Sequence, residues 1–164
     1  MATQEEWAKR SLAERLAHLA STADALGAAL AEAGAGVLAR PPAPAAWAPV
    51  EIVCHLRDNE EWFLQRLQQI MLMDEPIFVR TNPERWAGER QYLRNDAGPA
   101  LAAFRARRDE TLAFLAARAP GDLARAGVHS DSRGRRTLDD FVTVMAAHDD
   151  NHLDQLRRAL AGRP

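Results

Sequence analysis

The sequence has a single cysteine, Cys54. One thiol cannot close a disulfide within the chain, and it cannot furnish a cysteine-based zinc module. No apolar run approaches the ~18 residues that a membrane-crossing helix needs. The opening stretch, residues 1–12, has no apolar centre of the kind a secretion signal carries, so a cytoplasmic protein is expected. Lysine is almost missing: Lys9 stands alone and arginine supplies the remaining positive charge. The 21 basic residues face 23 acidic ones, giving a net charge of −2 and a pI near 6.2. Nucleic-acid-binding domains usually show the opposite excess, with a pI above ~9. Neither nucleic acid nor membrane is therefore expected as a partner, which leaves a small-molecule substrate.

What is present reads as an ordinary globular chain. Its 164 residues are 47% hydrophobic and 27% charged, enough for one domain over residues 1–164. Trp7, Leu12, Leu16, Leu19, Ala23, Leu26 and Leu30 recur at three- and four-residue steps and predict a helix over 4–33. Gly34, Gly36 and the Pro41-Pro42-Ala43-Pro44 run end it. A second helix starts at Pro49 and runs to 73, striped by Ile52, Leu56, Phe63, Leu67 and Ile70. A third covers 98–118, with Leu101, Phe104, Leu112 and Leu115 facing inward and Arg108 on the same stripe. The fourth starts after Thr137, a plausible N-cap followed by Asp139 and Asp140, and ends at 161. Residues 77–96 are polar and carry Pro83 and Gly88, so they read as a long connection with at most one short helix, and Phe78, Trp86 and Tyr92 are available to wall a pocket. No alternation predicts a strand. The fold class is all-α, a four-helix bundle with one long crossover connection.

The fourth helix breaks its own pattern. Its stripe is Leu138, Phe141, Met145, His148, His152, Leu156 and Leu160. Two imidazoles four residues apart are stacked neighbours on one face. Bare imidazoles in a core are costly unless their nitrogens are satisfied, and one divalent cation satisfies both. His55, at the edge of the second stripe, is the candidate third ligand. Three histidines with an open position suit a catalytic site, and both zinc and nickel accept imidazole. The plainer alternative is a set of hydrogen-bonded core histidines. His148-Asp149-Asp150-Asn151-His152 is also similar to the metalloprotease H-E-x-x-H, but aspartate is shorter than glutamate and few residues remain for a third ligand. His18 reads as solvated, His129 as a loop residue of open role, and Cys54 as a small core residue. Arg108 is either a stem with a solvated head or a buried guanidinium paired with Asp58 or Glu60. Asp149 and Asp150 are placed to orient an imidazole.

Two segments carry a resemblance. Trp47-Ala-Pro49-Val-Glu51-Ile52-Val-Cys-His55-Leu56 resembles the segment opening the second helix of DinB-like proteins, the superfamily that includes YfiT-type metal-dependent hydrolases and bacillithiol transferases. His148-Asp-Asp-Asn-His152-Leu153-Asp-Gln155-Leu156 is similar to that family's metal-binding last helix. Phe104 with Arg108, and His129 followed by Gly134 and Thr137-Leu138, fall where the family tends to place such residues. The resemblance implies a four-helix bundle holding a divalent metal, zinc or nickel, through His55, His148 and His152. It also implies a homodimer and metal-dependent chemistry on a small molecule, either hydrolysis or transfer of a low-molecular-weight thiol to an electrophile. A non-enzymatic metal-binding or stress-related module is the competing class. Ala48 departs from the family, which often has Ser or Thr at that cap.

Overall fold

Ser11 divides the segment that the apolar stripe joins into one helix. Its hydroxyl accepts from the Glu14 N–H, while the Glu14 carboxylate accepts from the Ser11 N–H at 2.8 Å. That reciprocal pair satisfies donors that only a helix start leaves open. Thr3 and Glu6 form the same pair eight residues earlier, at the start of a short first helix. The expected helix over 4–33 is therefore two helices, α1 (Gln4–Ala8) and α2 (Leu12–Ala31).

The computed structural model describes residues 2–34 and 36–164. After α2 come α3 (Pro49–Leu72), β1 (Ile77–Phe78), α4 (Pro83–Glu89), α5 (Ala97–Ala116), β2 (Ala126–His129), β3 (Arg135–Thr137) and α6 (Leu138–Leu160). Short 3-10 turns occupy Tyr92–Arg94 and Pro120–Ala124. α3, α5 and α6 lie within two residues of the ends read from the sequence, and α2 matches at its C-terminal end only. The connection at 77–96 holds more structure than expected: a strand, a short helix and a 3-10 turn.

The four long helices form the bundle. α3 packs against α5 and α6, and α2 packs against the same two. The pairs α2/α3 and α5/α6 thus lie on diagonals, and α3 and α6 become neighbours. The core is split in two. One apolar cluster gathers Leu26, Ile52, Leu56, Tyr92, Phe104 and Leu156, and the other Trp7, Leu19, Phe63, Leu67, Phe141 and Met145. Between them along α3, α5 and α6 lie Asn59 and Glu60, Arg108, and His148 with Asp149. A polar layer crosses the middle of the bundle.

Three strands correct the all-helical expectation in detail. β1 pairs parallel with β2, and β2 antiparallel with β3. Segments of two to four residues are too short to show alternation. Their pairing rests on Gly127: a Cβ there would sit 2.3 Å from the Phe78 ring. The β2–β3 turn closes at Gly134, whose φ of +63° suits glycine. This small sheet carries His129 to the rim of a cleft beside α3 and α6. No helix among the described residues is long and apolar enough to cross a membrane.

Candidate metal centre

The α3–α6 contact brings His55, His148 and His152 together. Each offers one nitrogen, and the three lie within 4.8 Å of one another. His55 Nε2 and His148 Nε2 are 3.1 Å apart. Zinc–imidazole bonds of about 2.0–2.1 Å put two nitrogens on one tetrahedral ion roughly 3.3 Å apart, so this spacing fits a shared cation. His55 is 4% exposed and His152 9%. All three rings resist protonation. Burial, then the charges of His148 and His152, push the pKa of His55 down to about 2. Burial holds His148 well below its ordinary value, helped by His152 and Arg108. Burial also lowers His152. Neutral rings keep the lone pairs that a metal takes.

The neighbours set the rings' orientation. Gln155 Oε1 lies 2.7 Å from His152 Nδ1, which fixes the hydrogen there and leaves Nε2 as a donor atom. The Asn59 amide lies 3.0 Å from His55 Nδ1 and also donates to the His55 carbonyl oxygen at 3.0 Å. Trp47 flanks the cluster, its ring centroid 4.8 Å from His55 and 6.4 Å from His152. The donor set is therefore three neutral imidazoles, which fits zinc or nickel. They stand in the wall of an open cleft of about 1450 Å³, which Asn59, Trp62, Phe63, His129 and Phe141 also line.

Other expected roles fall differently. Arg108 is the buried, paired guanidinium of the second expectation, held by Glu60 at 2.8 Å, and its other partner is Asp149 at 2.6 Å in place of Asp58. Asp58 instead joins Arg57, Arg90 and the Tyr92 hydroxyl. Asp149 therefore serves Arg108, with no described hydrogen bond to a histidine of the cluster. Asp150 accepts from the Trp7 indole at 3.1 Å. Gln155 and Asn59 do the orienting. Each is one helical turn from the ring it meets, Gln155 three residues after His152 and Asn59 four after His55, and that spacing was the available signal. His18 is not solvated: its ring lies 4.4 Å from Trp7, and Nε2 is 3.3 Å from Asp150. The fold-back of α1 onto α6 covers it. Cys54 is sealed in the core, where burial pushes the thiol up to about 11. Phe78, Trp86 and Tyr92 do not line the cleft. Phe78 and Tyr92 are buried, and Trp86 packs against the core. The aromatic wall comes from Trp47, Trp62, Phe63 and Phe141.

Comparison with known proteins agrees with this architecture. The solved structure of YfiT from Bacillus subtilis, described as a probable metal-dependent hydrolase with an unusual four-helix bundle topology, superposes with a TM-score of 0.84. The match covers 97% of this chain and 88% of that one at 16% sequence identity. No curated protein matches the sequence. The model of the DinB superfamily matches residues 23–156, a span that includes α3, α5 and all three clustered histidines, and the chain belongs to that superfamily.

Proposed function

We propose that the protein is a metal-dependent enzyme acting on a small molecule, with a divalent ion held by His55, His148 and His152. One observation carries this: three neutral imidazoles from two helices converge in the wall of an open cleft. Three protein ligands leave a position for solvent or substrate, the pattern of catalytic zinc sites. A divalent ion supplies Lewis acidity there, drawing the pKa of water or a thiol toward neutrality. The chain's own residues prepare the site. Gln155 holds the His152 tautomer, Asn59 pins His55, and Trp47 shields the outer face of both rings.

Hydrolysis is the reading favoured by the likeness to YfiT, with water adding across the scissile bond and its proton leaving with the departing group. Thiol transfer is the alternative that the sequence motifs support. There a carbon–sulfur bond replaces the bond to the leaving group, and the thiol proton is released. Protein purified without chelator should contain zinc or nickel and melt at lower temperature after chelation. Turnover of activated esters without thiol supports hydrolysis. Turnover of a chloronitroaromatic only with added thiol supports transfer. Bound metal without either turnover favours the non-enzymatic module. A protein that holds no metal and gains no stability from zinc or nickel overturns the metal centre itself.

A further inference from the structure

The cleft has a second end, away from the three histidines. His129, the last residue of β2, lines it. Behind His129 lies Arg66, 5% exposed. The guanidinium of Arg66 is held between the rings of Trp62 at 3.4 Å and Phe78 at 4.5 Å. It donates to the Val79 carbonyl oxygen at 2.8 Å and faces His129 Nδ1 at 3.3 Å. No carboxylate among the described residues forms a salt bridge with it. A buried cation without a counter-charge is expensive to maintain, and here burial, then Arg133, pulls its pKa down to about 9.

Arginine can only donate. His129 Nδ1 must therefore offer Arg66 a lone pair, and the neutral ring carries its hydrogen on Nε2. Among the described residues no acceptor takes that hydrogen. His129 stands at the cleft as a fixed N–H donor. Around it the lining is cationic: Arg80, Arg133 and Arg136. The one carboxylate lining this end, Asp131, is bound to Arg133 at 2.7 Å. Arg80 and Arg136 make no ion pair or side-chain hydrogen bond with another described residue. Between the two ends the surface is apolar. Phe63 lies 5.7 Å from His148 and 6.3 Å from Phe141, which in turn lies 5.9 Å from His129.

We propose that this end of the cleft is an oxyanion subsite. His129 Nε2–H, Arg133 and Arg136 receive a carboxylate or phosphate group of the substrate, and Arg66 is the positioning residue that sets the His129 tautomer. The substrate is then a small anion whose oxyanion and reacting bond are separated by an apolar segment lying over Phe63 and Phe141. The location of the reacting bond rests on the metal-centre reading; the subsite does not.

The test uses chelator-treated protein, so that no metal draws the anion. Inorganic phosphate and benzoate are titrated separately, with benzyl alcohol as the neutral control. At least one anion should bind and the alcohol should not; the tighter of the two shows which oxyanion the subsite is built for. Losing one charge-assisted hydrogen bond weakens binding about tenfold or more, and Arg136→Gln should do so. Arg66→Met should weaken it as well and also shift the ring nitrogen-15 signals of His129 away from the Nε2–H tautomer, a change that mere loosening of the fold would not produce. If Arg66→Met does not fold, Arg136→Gln decides. Equal anion binding by wild type and Arg136→Gln, or no anion binding at all, overturns the subsite. Zinc binding measured in parallel separates the two claims: Arg136→Gln should lose the anion and keep the metal, and anion binding survives even if the protein takes up no metal.

Discussion

Two polar clusters share the interior of the bundle, and α6 contributes to both with consecutive residues. Asp149 sets its two carboxylate oxygens against the Arg108 guanidinium at 2.6 and 3.1 Å, and Glu60 adds a contact at 2.8 Å. His148 joins His152 and His55 instead. Burial works to strip Arg108 of its charge, but Asp149 and Glu60 outweigh it and raise its pKa. In the histidine cluster burial dominates and the opposing carboxylates, Asp58 and Asp149, do not outweigh it, so all three rings are driven neutral. The first cluster thus contains its own counter-charges and behaves as a strut linking α3, α5 and α6. The second contains three bases and no cation. The strut also sets two carboxylates against one guanidinium, and that negative excess favours a cation next door.

The sharpest way to break the comparison is to remove the strut's cation. Arg108→Met leaves Asp149 and Glu60 buried without a partner, and about 3–5 kcal/mol of stability should go, measured by urea unfolding. Replacing all three charged residues with apolar ones of similar volume should restore most of it, because a buried pair is worth little against good packing. A small loss in the single variant would mean the layer is wetter than its burial indicates. His152→Ala should behave in the reverse sense. It removes no charge from the metal-free protein, so the cost appears when metal is added. An ion at a hundred times its dissociation constant stabilises the folded state by about 2.7 kcal/mol, and thermal melts of the variant should lack that increment. His18→Ala should keep it, since His18 faces Trp7 and Asp150.

Acid sharpens the contrast at smaller amplitude. An unfolded histidine takes a proton near pH 6.5, whereas folded His55 refuses one until about pH 2. Between those values the unfolded chain binds more protons, so stability falls as pH falls. The loss begins near pH 6.5 and grows by about 1.4 kcal/mol per pH unit for His55 alone. His148 and His152 act in the same direction. Asp58 near His55 and Asp149 near His152 oppose the effect but do not outweigh burial. Urea midpoints of metal-free protein between pH 7 and 5 should therefore drop steeply, and His55→Gln should flatten the slope by about one proton.

The bundle and its histidines were legible because both rest on periodicity. His148 and His152 interrupt an apolar stripe at a spacing only a helix makes meaningful, and Pro49 marks the start of the helix that carries His55. What was hidden depends on contacts between distant segments. The break at Ser11 was written in a Ser-x-x-Glu pattern, but the stripe runs through it. The strands are too short for alternation, and Gly127 shows its purpose only when Phe78 lies against it. Arg66 lies beside the second stripe and carries no local signal, because nothing in the sequence shows that Trp62 and Phe78 enclose it. Asp149 as the partner of Arg108 needed the α5–α6 geometry, which sequence spacing does not fix.

The smallest effect concerns the start of α3, which sets the height of His55. Glu51 reaches back to the Ala48 N–H at 2.8 Å, but Ala48 has no side-chain oxygen to return the bond, and the Glu51 N–H turns to the Ala48 carbonyl oxygen at 2.9 Å. This is half of a capping box. Its φ and ψ of −67° and 156° are already those of a cap residue, so Ala48→Ser introduces the side-chain acceptor of a full capping box without moving the backbone. The expected gain is about 1 kcal/mol by urea unfolding, with metal affinity unchanged. Ala48 is fully buried, so the added hydroxyl stabilises only if it finds the Glu51 N–H. A variant less stable than the parent would show that this position is governed by packing, and that the Trp47–Pro49 turn holds α3 in place without a cap.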